Sequence, residues 1–159
     1  MPDTAFPLSS AVPLDAKDVA RGVSRLLYRQ GCAALVEFPL GNGRRADVAG
    51  LSQKGQLTLV EIKVSLSDLR GDAKWPEYLD YCDQFYFAVP AGFPLGDFDT
   101  PAFLPERAGL IIADRFEAAV VRPAACAPLS AARRKAETLR FARHAAHRLF
   151  FHLDPTFEG

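Results

Sequence analysis

Some kinds of residue are scarce in this chain, and each scarcity removes a class of protein. Three cysteines stand in 159 residues. Cys32, Cys82 and Cys126 are odd in number and far apart, with neither a CxxC nor a Cys/His spacing. That excludes a disulfide scaffold and a thiolate metal site, and points to a reduced, cytoplasmic protein. No apolar run approaches the roughly 18 residues that span a bilayer, so no membrane is implicated. The first residues carry Asp3 and early prolines in place of a basic start and an apolar stretch, which predicts no signal peptide. Formal net charge is zero, so bulk charge selects no partner. Repeats and low-complexity tracts are also missing.

About half of the residues are apolar, enough to bury a real core, and the length fits one domain. Residues 1–13 read as an irregular N-terminal arm. From Asp15 the pattern turns helical: Val19, Val23, Leu26 and Leu27 share a face, with Lys17, Arg21, Arg25 and Arg29 elsewhere. Asp15 is a suitable N-cap with Asp18 three residues on, and Gly31 a suitable stop. "CAALVEF", "RRADVAGL" and "QLTLVEIKV" read as three strands separated by "GNG" and "SQKG" turns. A second helix is predicted from about Ser67 through Asp72 and Lys74, broken near Trp75 by Pro76. "QFYFAVP" is a fourth strand, and "AGLIIAD" with "FEAAVVRP" a closing hairpin around Asp114-Arg115. After a proline-bearing link at 123–128, a last helix runs from about Ser130 to His152. The expectation is an α/β or α+β domain: one mixed sheet, a three-strand antiparallel meander within it, and flanking helices.

The third strand poses the chemical question. In "TLVEIKVSLSD" an apolar strand carries Glu61 and Lys63 two residues apart, hence on one face. On the second strand Arg45, Asp47, Ala49 and Leu51 share a face. A hairpin turning near Lys54-Gly55 brings Asp47 opposite Glu61 or one residue off. Close carboxylates repel, and burial without partners makes them costly. A divalent cation relieves both costs, and hard oxygen ligands suit Mg²⁺. A nearby ammonium can then steady an attacking water or developing phosphoryl charge. Asp followed by Glu-x-Lys on the next strand is therefore a set suited to metal-dependent phosphodiester chemistry.

With those residues in place, the layout resembles the PD-(D/E)XK nuclease superfamily. Asp47 lies on the second strand and Glu61-Ile62-Lys63 on the third. Ala46 precedes Asp47 where the superfamily's name has proline. The run "EIKVSLSDLRGDAKWPEYLDYCDQFYFAV" resembles more narrowly the MmcB-type DNA repair family, through Asp72 to Tyr78 and Tyr81 to Asp83. The resemblance spans roughly residues 14–122, a nuclease-like core, leaving 123–159 as linker and basic C-terminal helix packed on that core. It implies a restriction-endonuclease-like fold, with Mg²⁺ or Mn²⁺ held by Asp47, Glu61 and the Ile62 carbonyl, and Lys63 completing the catalytic set. It also implies DNA as substrate and partner, in a repair setting that can involve other DNA-repair proteins. Members of the superfamily can also act mainly as binders, so a non-catalytic DNA-binding or adaptor module is the alternative.

Further residues are candidates. Glu37, on the first strand, is either an additional metal ligand or an exposed charge. Ser65, three before Asp68, is a helix cap that also lies where a phosphate would approach. Lys74 and Arg45 are candidate phosphate contacts. Trp75, Tyr78, Tyr81 and Phe85 read as packing. The final segment carries six Lys/Arg against three Asp/Glu over residues 130–159. Its Leu139, Ala142, Ala146, Leu149 and Phe150 form an apolar face expected to dock on the core, leaving the basic residues for phosphates. His144 and His147 lack a third ligand for a metal.

Overall fold

The structure is a computed structural model, and it describes residues 12–158. The predicted arm at 1–13 falls almost wholly outside them. The first helix, α1 (Ala16–Arg29), opens on a complete capping box: Asp15 accepts from the Asp18 amide and Asp18 from the Asp15 amide. It ends before Gly31, whose φ of 81° favours glycine.

Six strands follow: β1 (Ala33–Pro39), β2 (Arg45–Leu51), β3 (Leu57–Ile62), β4 (Gln84–Pro90), β5 (Ala108–Ala113) and β6 (Ala118–Arg122). They form one mixed sheet in sequential order. β1 pairs antiparallel with β2, and β2 with β3; β3, β4 and β5 run parallel, and β6 turns back antiparallel. Every residue of β3 is buried, as expected of a strand covered on both faces.

One face carries α1. Val19, Val23 and Leu27 pack on Val48, Val60, Ile62, Ala88 and Ile111. Gly22 lets the helix sit this close: a Cβ there would meet the Asp114 carbonyl oxygen at 2.1 Å. The opposite face is aromatic. Trp75 stacks on Phe85 with centroids 5.3 Å apart and meets Phe87 edge-on at 4.9 Å, with Phe98 and Phe103 beside them. Trp75, Tyr78 and Phe85 thus serve packing, as expected.

Two expectations need correction. The second helix, α2 (Leu66–Gly71), has six residues and stops before Asp72; a 3-10 segment (Trp75–Tyr81) carries the chain onward. Asp72 accepts from the Lys74 amide at 3.1 Å, and that local turn replaces the helix that ran through both residues in the pattern. The last helix, α3 (Ala131–Leu153), has the predicted extent and is capped by Ser130. It docks, however, through Glu137 and Phe141, while Leu139, Leu149 and Phe150 are exposed. Phe141 packs on Phe38, Arg134 binds Asp83 and the Gly55 carbonyl, and Arg148 binds β1, so a face other than the apolar stripe is buried. Among the described residues no helix is long and apolar enough to cross a membrane.

Candidate functional site

The β2–β3 ladder pairs Val48 with Val60, which sets Asp47 level with Glu61 at its open end. There the ladder is extended by a side chain: the Ile62 amide donates to Asp47 Oδ2 at 2.7 Å. Glu61 is 9% exposed and its Oε2 has no hydrogen-bond partner. Burial pushes its carboxyl up to about 9, the hydrogen bond and charge of Asp47 push the same way, and Tyr78 and Lys63 act in the opposite sense. A carboxyl in this state is held neutral for want of a compensating charge.

Tyr78 closes the site from the aromatic face. Its hydroxyl donates to the Arg45 carbonyl at 2.9 Å. Burial and the neighbouring Glu61 charge push its pKa upward. Nothing in the sequence spacing assigned Tyr78 more than packing; its position follows from the 3-10 segment that replaced the expected helix.

Lys63 is 4% exposed. Its Nζ lies 2.8 Å from Asp72 Oδ2 and 3.9 Å from Asp68 Oδ2. The ammonium therefore turns toward α2, lining a shallow cleft with Ser67, Asp68, Gly71 and Asp72. Asp47 and Ile62 line a different cleft, under α1, with Lys17, Arg21, Val36 and Glu37. Asp47 and Glu61 are thus brought together, and Lys63 reaches the pair from the side with its charge already partnered.

The other candidates are placed as follows. Glu37 is skipped in the β1–β2 register between Val36 and Phe38; it lines the same cleft as Asp47 but is 65% exposed, 3.9 Å from Arg45 Nη2. Its φ of 51° is left-handed, an uncommon and strained conformation for glutamate. Arg148 of α3 holds it there by donating to the carbonyls of Val36 and Glu37, the latter at 2.7 Å. That grip spans more than a hundred residues and left no trace in local pattern. Ser65 caps α2 by accepting from the Asp68 amide at 3.2 Å. Lys74 is exposed at the start of the 3-10 segment. Among the described residues, no group of three or more His, Cys, Asp or Glu side chains is arranged to hold a metal.

The donor set nonetheless suits a hard cation. Two adjacent carboxylates with an unpartnered buried oxygen fit Mg²⁺, which takes one or two carboxylates and completes its shell with carbonyl, water or substrate oxygen.

A mixed α/β protein with such a carboxylate pair at its central hairpin can be set beside known proteins. A family described as DNA repair protein MmcB-like matches residues 7–156, and the chain belongs to that family. Among solved structures it is similar to the SPO1766 protein of unknown function from Silicibacter pomeroyi. The two share 40% identity over 94% of this chain and 97% of that one, with a TM-score of 0.82. No curated protein matches.

Proposed function

We propose that this chain is a DNA repair protein that hydrolyses DNA phosphodiester bonds with the help of Mg²⁺ or Mn²⁺, on a PD-(D/E)XK, restriction-endonuclease-like core. The family description supports the repair setting. One observation carries the chemistry: buried Glu61, its Oε2 unpartnered, lies beside Asp47 at the end of the β2–β3 hairpin. Asp47, Glu61 and the Ile62 carbonyl would hold the cation, with Glu37 lining the cleft that Asp47 and Ile62 share. Bound there, a divalent ion supplies Lewis-acid polarisation of a phosphate oxygen and a more acidic water. The chain's own contribution is positioning. The Ile62 amide fixes Asp47, and the Tyr78 side chain walls the pair from the aromatic core. Lys63 holds a positive charge beside the carboxylates, and Asp72 keeps it in place.

The ion pair of Lys63 with Asp72 favours a second reading, a DNA-binding or adaptor module without turnover, because an engaged ammonium is less available to the reacting phosphate. One assay decides between them. Purified protein is incubated with single-stranded, duplex, nicked, flap and branched DNAs and Mg²⁺ or Mn²⁺, beside Asp47→Ala and Lys63→Ala. Metal-dependent cleavage lost in both variants supports the nuclease; tight binding without cutting on any substrate leaves the adaptor.

A further inference from the structure

The outer side of α1 carries a file of cations. Lys17, Arg21, Arg25 and Arg29 recur every fourth residue, which sets them about 6 Å apart along one side of the helix. Among the described residues none of the four forms an ion pair. Two clefts run beside them and share Arg21. The first holds Lys17 and Arg21 and reaches Asp47, Glu37 and Ile62. The second continues past Arg25, Tyr28 and Arg29 to Ala34 of β1. The two clefts thus adjoin at Arg21 between α1 and β1, with cations along one wall and Asp47 at one end.

Two aromatic rings serve these clefts. Phe116, more than half exposed, lies under the guanidinium groups of Arg21 and Arg25 with its centroid 5.5 and 5.7 Å away. It steers both arginines without neutralising them. Tyr28 is 78% exposed at the far end, where it lines the second cleft.

We infer that these adjoining clefts bind one strand of single-stranded DNA, with successive phosphates on Lys17, Arg21, Arg25 and Arg29 and a base stacked on Tyr28. Cations in a single row match one sugar–phosphate chain, and an unpacked aromatic ring suits unpaired bases. Duplex recognition would call instead for cations on two fronts. The inference rests on the proposed reading that the Asp47 cleft acts on DNA, and extends it by naming the strand's route in.

The test is fluorescence anisotropy of a short dye-labelled oligothymidylate, alone and annealed to its oligoadenylate complement, in EDTA over a range of salt, so that no cleavage can contribute. Arg21→Gln/Arg25→Gln/Arg29→Gln should weaken binding by about tenfold or more, and flatten the log–log salt slope by about two. Lys17→Gln/Arg29→Gln, which leaves the Phe116 contacts intact, should lose several-fold. Tyr28→Ala should weaken binding at unchanged salt slope. Lys54→Gln/Arg70→Gln, at the β2–β3 turn and on α2, removes as many charges as the second variant and should bind as the parent does. The inference is overturned by no binding of the oligonucleotide, by equal losses in the control, by a clear preference for duplex, or by α1 variants that bind like the parent. Because EDTA removes any metal, these results stand apart from the cleavage assay: binding on α1 without cleavage sinks the nuclease alone, and cleavage indifferent to α1 charges sinks the track alone.

Discussion

The Ile62 amide donates to Asp47 Oδ2 at 2.7 Å, one step beyond the last backbone pair of the β2–β3 ladder, Val48 with Val60. The carboxylate thereby does the work of a strand carbonyl and is locked beside Glu61. Its structural and electrostatic roles can be separated by two substitutions. Asp47→Asn keeps an oxygen that can accept from Ile62 but removes the charge, so its melting temperature should stay close to the parent's. Asp47→Ala leaves the amide without its partner and should lose about 1–3 kcal/mol. Both should lose Mn²⁺ binding, read by electron paramagnetic resonance. Equal melting temperatures for the two variants would contradict the structural role.

Glu61 makes stability depend on pH in an unusual direction. Its folded carboxyl titrates at about 9, far above the ordinary value of 4.5. Between those values the unfolded chain has released the proton and the folded chain has not. Stability is therefore full below the ordinary value and falls as pH rises toward about 9. Glu61→Gln should abolish that slope and melt above the parent at pH 8, with about 2–4 °C for each kcal/mol gained. Mg²⁺ competes with the proton, so it should raise the parent's melting temperature more at pH 8.5 than at pH 6 and leave Glu61→Gln unmoved. Differential scanning fluorimetry at several pH values reads both effects. A parent whose stability rises with pH across this window would refute the neutral carboxyl.

Lys63 supplies the third prediction. Its ammonium is buried and rests on Asp72 at 2.8 Å, with Asp68 more distant at 3.9 Å. Asp72→Ala strands a buried charge. Asp72 keeps one-fifth of its side-chain surface and Asp68 stands by, so the loss should be about 1–3 kcal/mol, below the full cost of breaking a buried pair. Replacing both partners, Lys63→Met with Asp72→Leu, should recover much of that stability, because an apolar pair of similar volume leaves no charge stranded. Chemical denaturation of the three variants measures the pattern. A double variant less stable than Asp72→Ala would show that the pair itself stabilises the fold.

What could be read before the fold was known was local. The strands announced themselves because apolar residues alternate or run unbroken between glycine turns, and α1 because Asp15, Asp18 and Gly31 mark its ends. The nearness of Asp47 and Glu61 was legible because a short turn fixes a hairpin's register. Other features depended on distant partners. Arg148 reaches the Val36 and Glu37 carbonyls from the far end of the chain, and this grip, that of Arg134 and the packing of Phe141 on Phe38 go with the side of α3 that is buried. An amphipathic reading of α3 therefore chose the wrong face. Asp72 was assigned to a helix because its neighbours are compatible with one. Its bond to the Lys74 amide and its ion pair with Lys63 instead end the helix early.

Asp83 is the last case, and the one in which a family-specific "YCD" element proves structural. Its buried carboxylate accepts from the Leu57 amide at 2.7 Å and the Leu129 amide at 3.0 Å, and Arg134 binds both oxygens at 2.5 and 2.8 Å. One side chain thus ties the start of β3, the link after β6 and the first turns of α3. Burial by itself would raise the carboxyl, but the bonds from Arg134, Leu57 and Leu129 outweigh it and hold the group below its usual range. For a depressed acid the stabilisation is present above the unfolded value, about 3.9, and is lost as pH falls through the lower folded value. Asp83→Asn should flatten the acid limb of the stability profile and melt well below the parent at pH 7. Arg134→Ala, which leaves the carboxylate buried with only amide donors, should cost about 3–5 kcal/mol. Hydrogen exchange should then rise at Leu57 and Leu129 together, because both amides share the carboxylate that Arg134 holds. An Arg134→Ala protein in which only α3 loses protection would show that Asp83 keeps its place without the arginine.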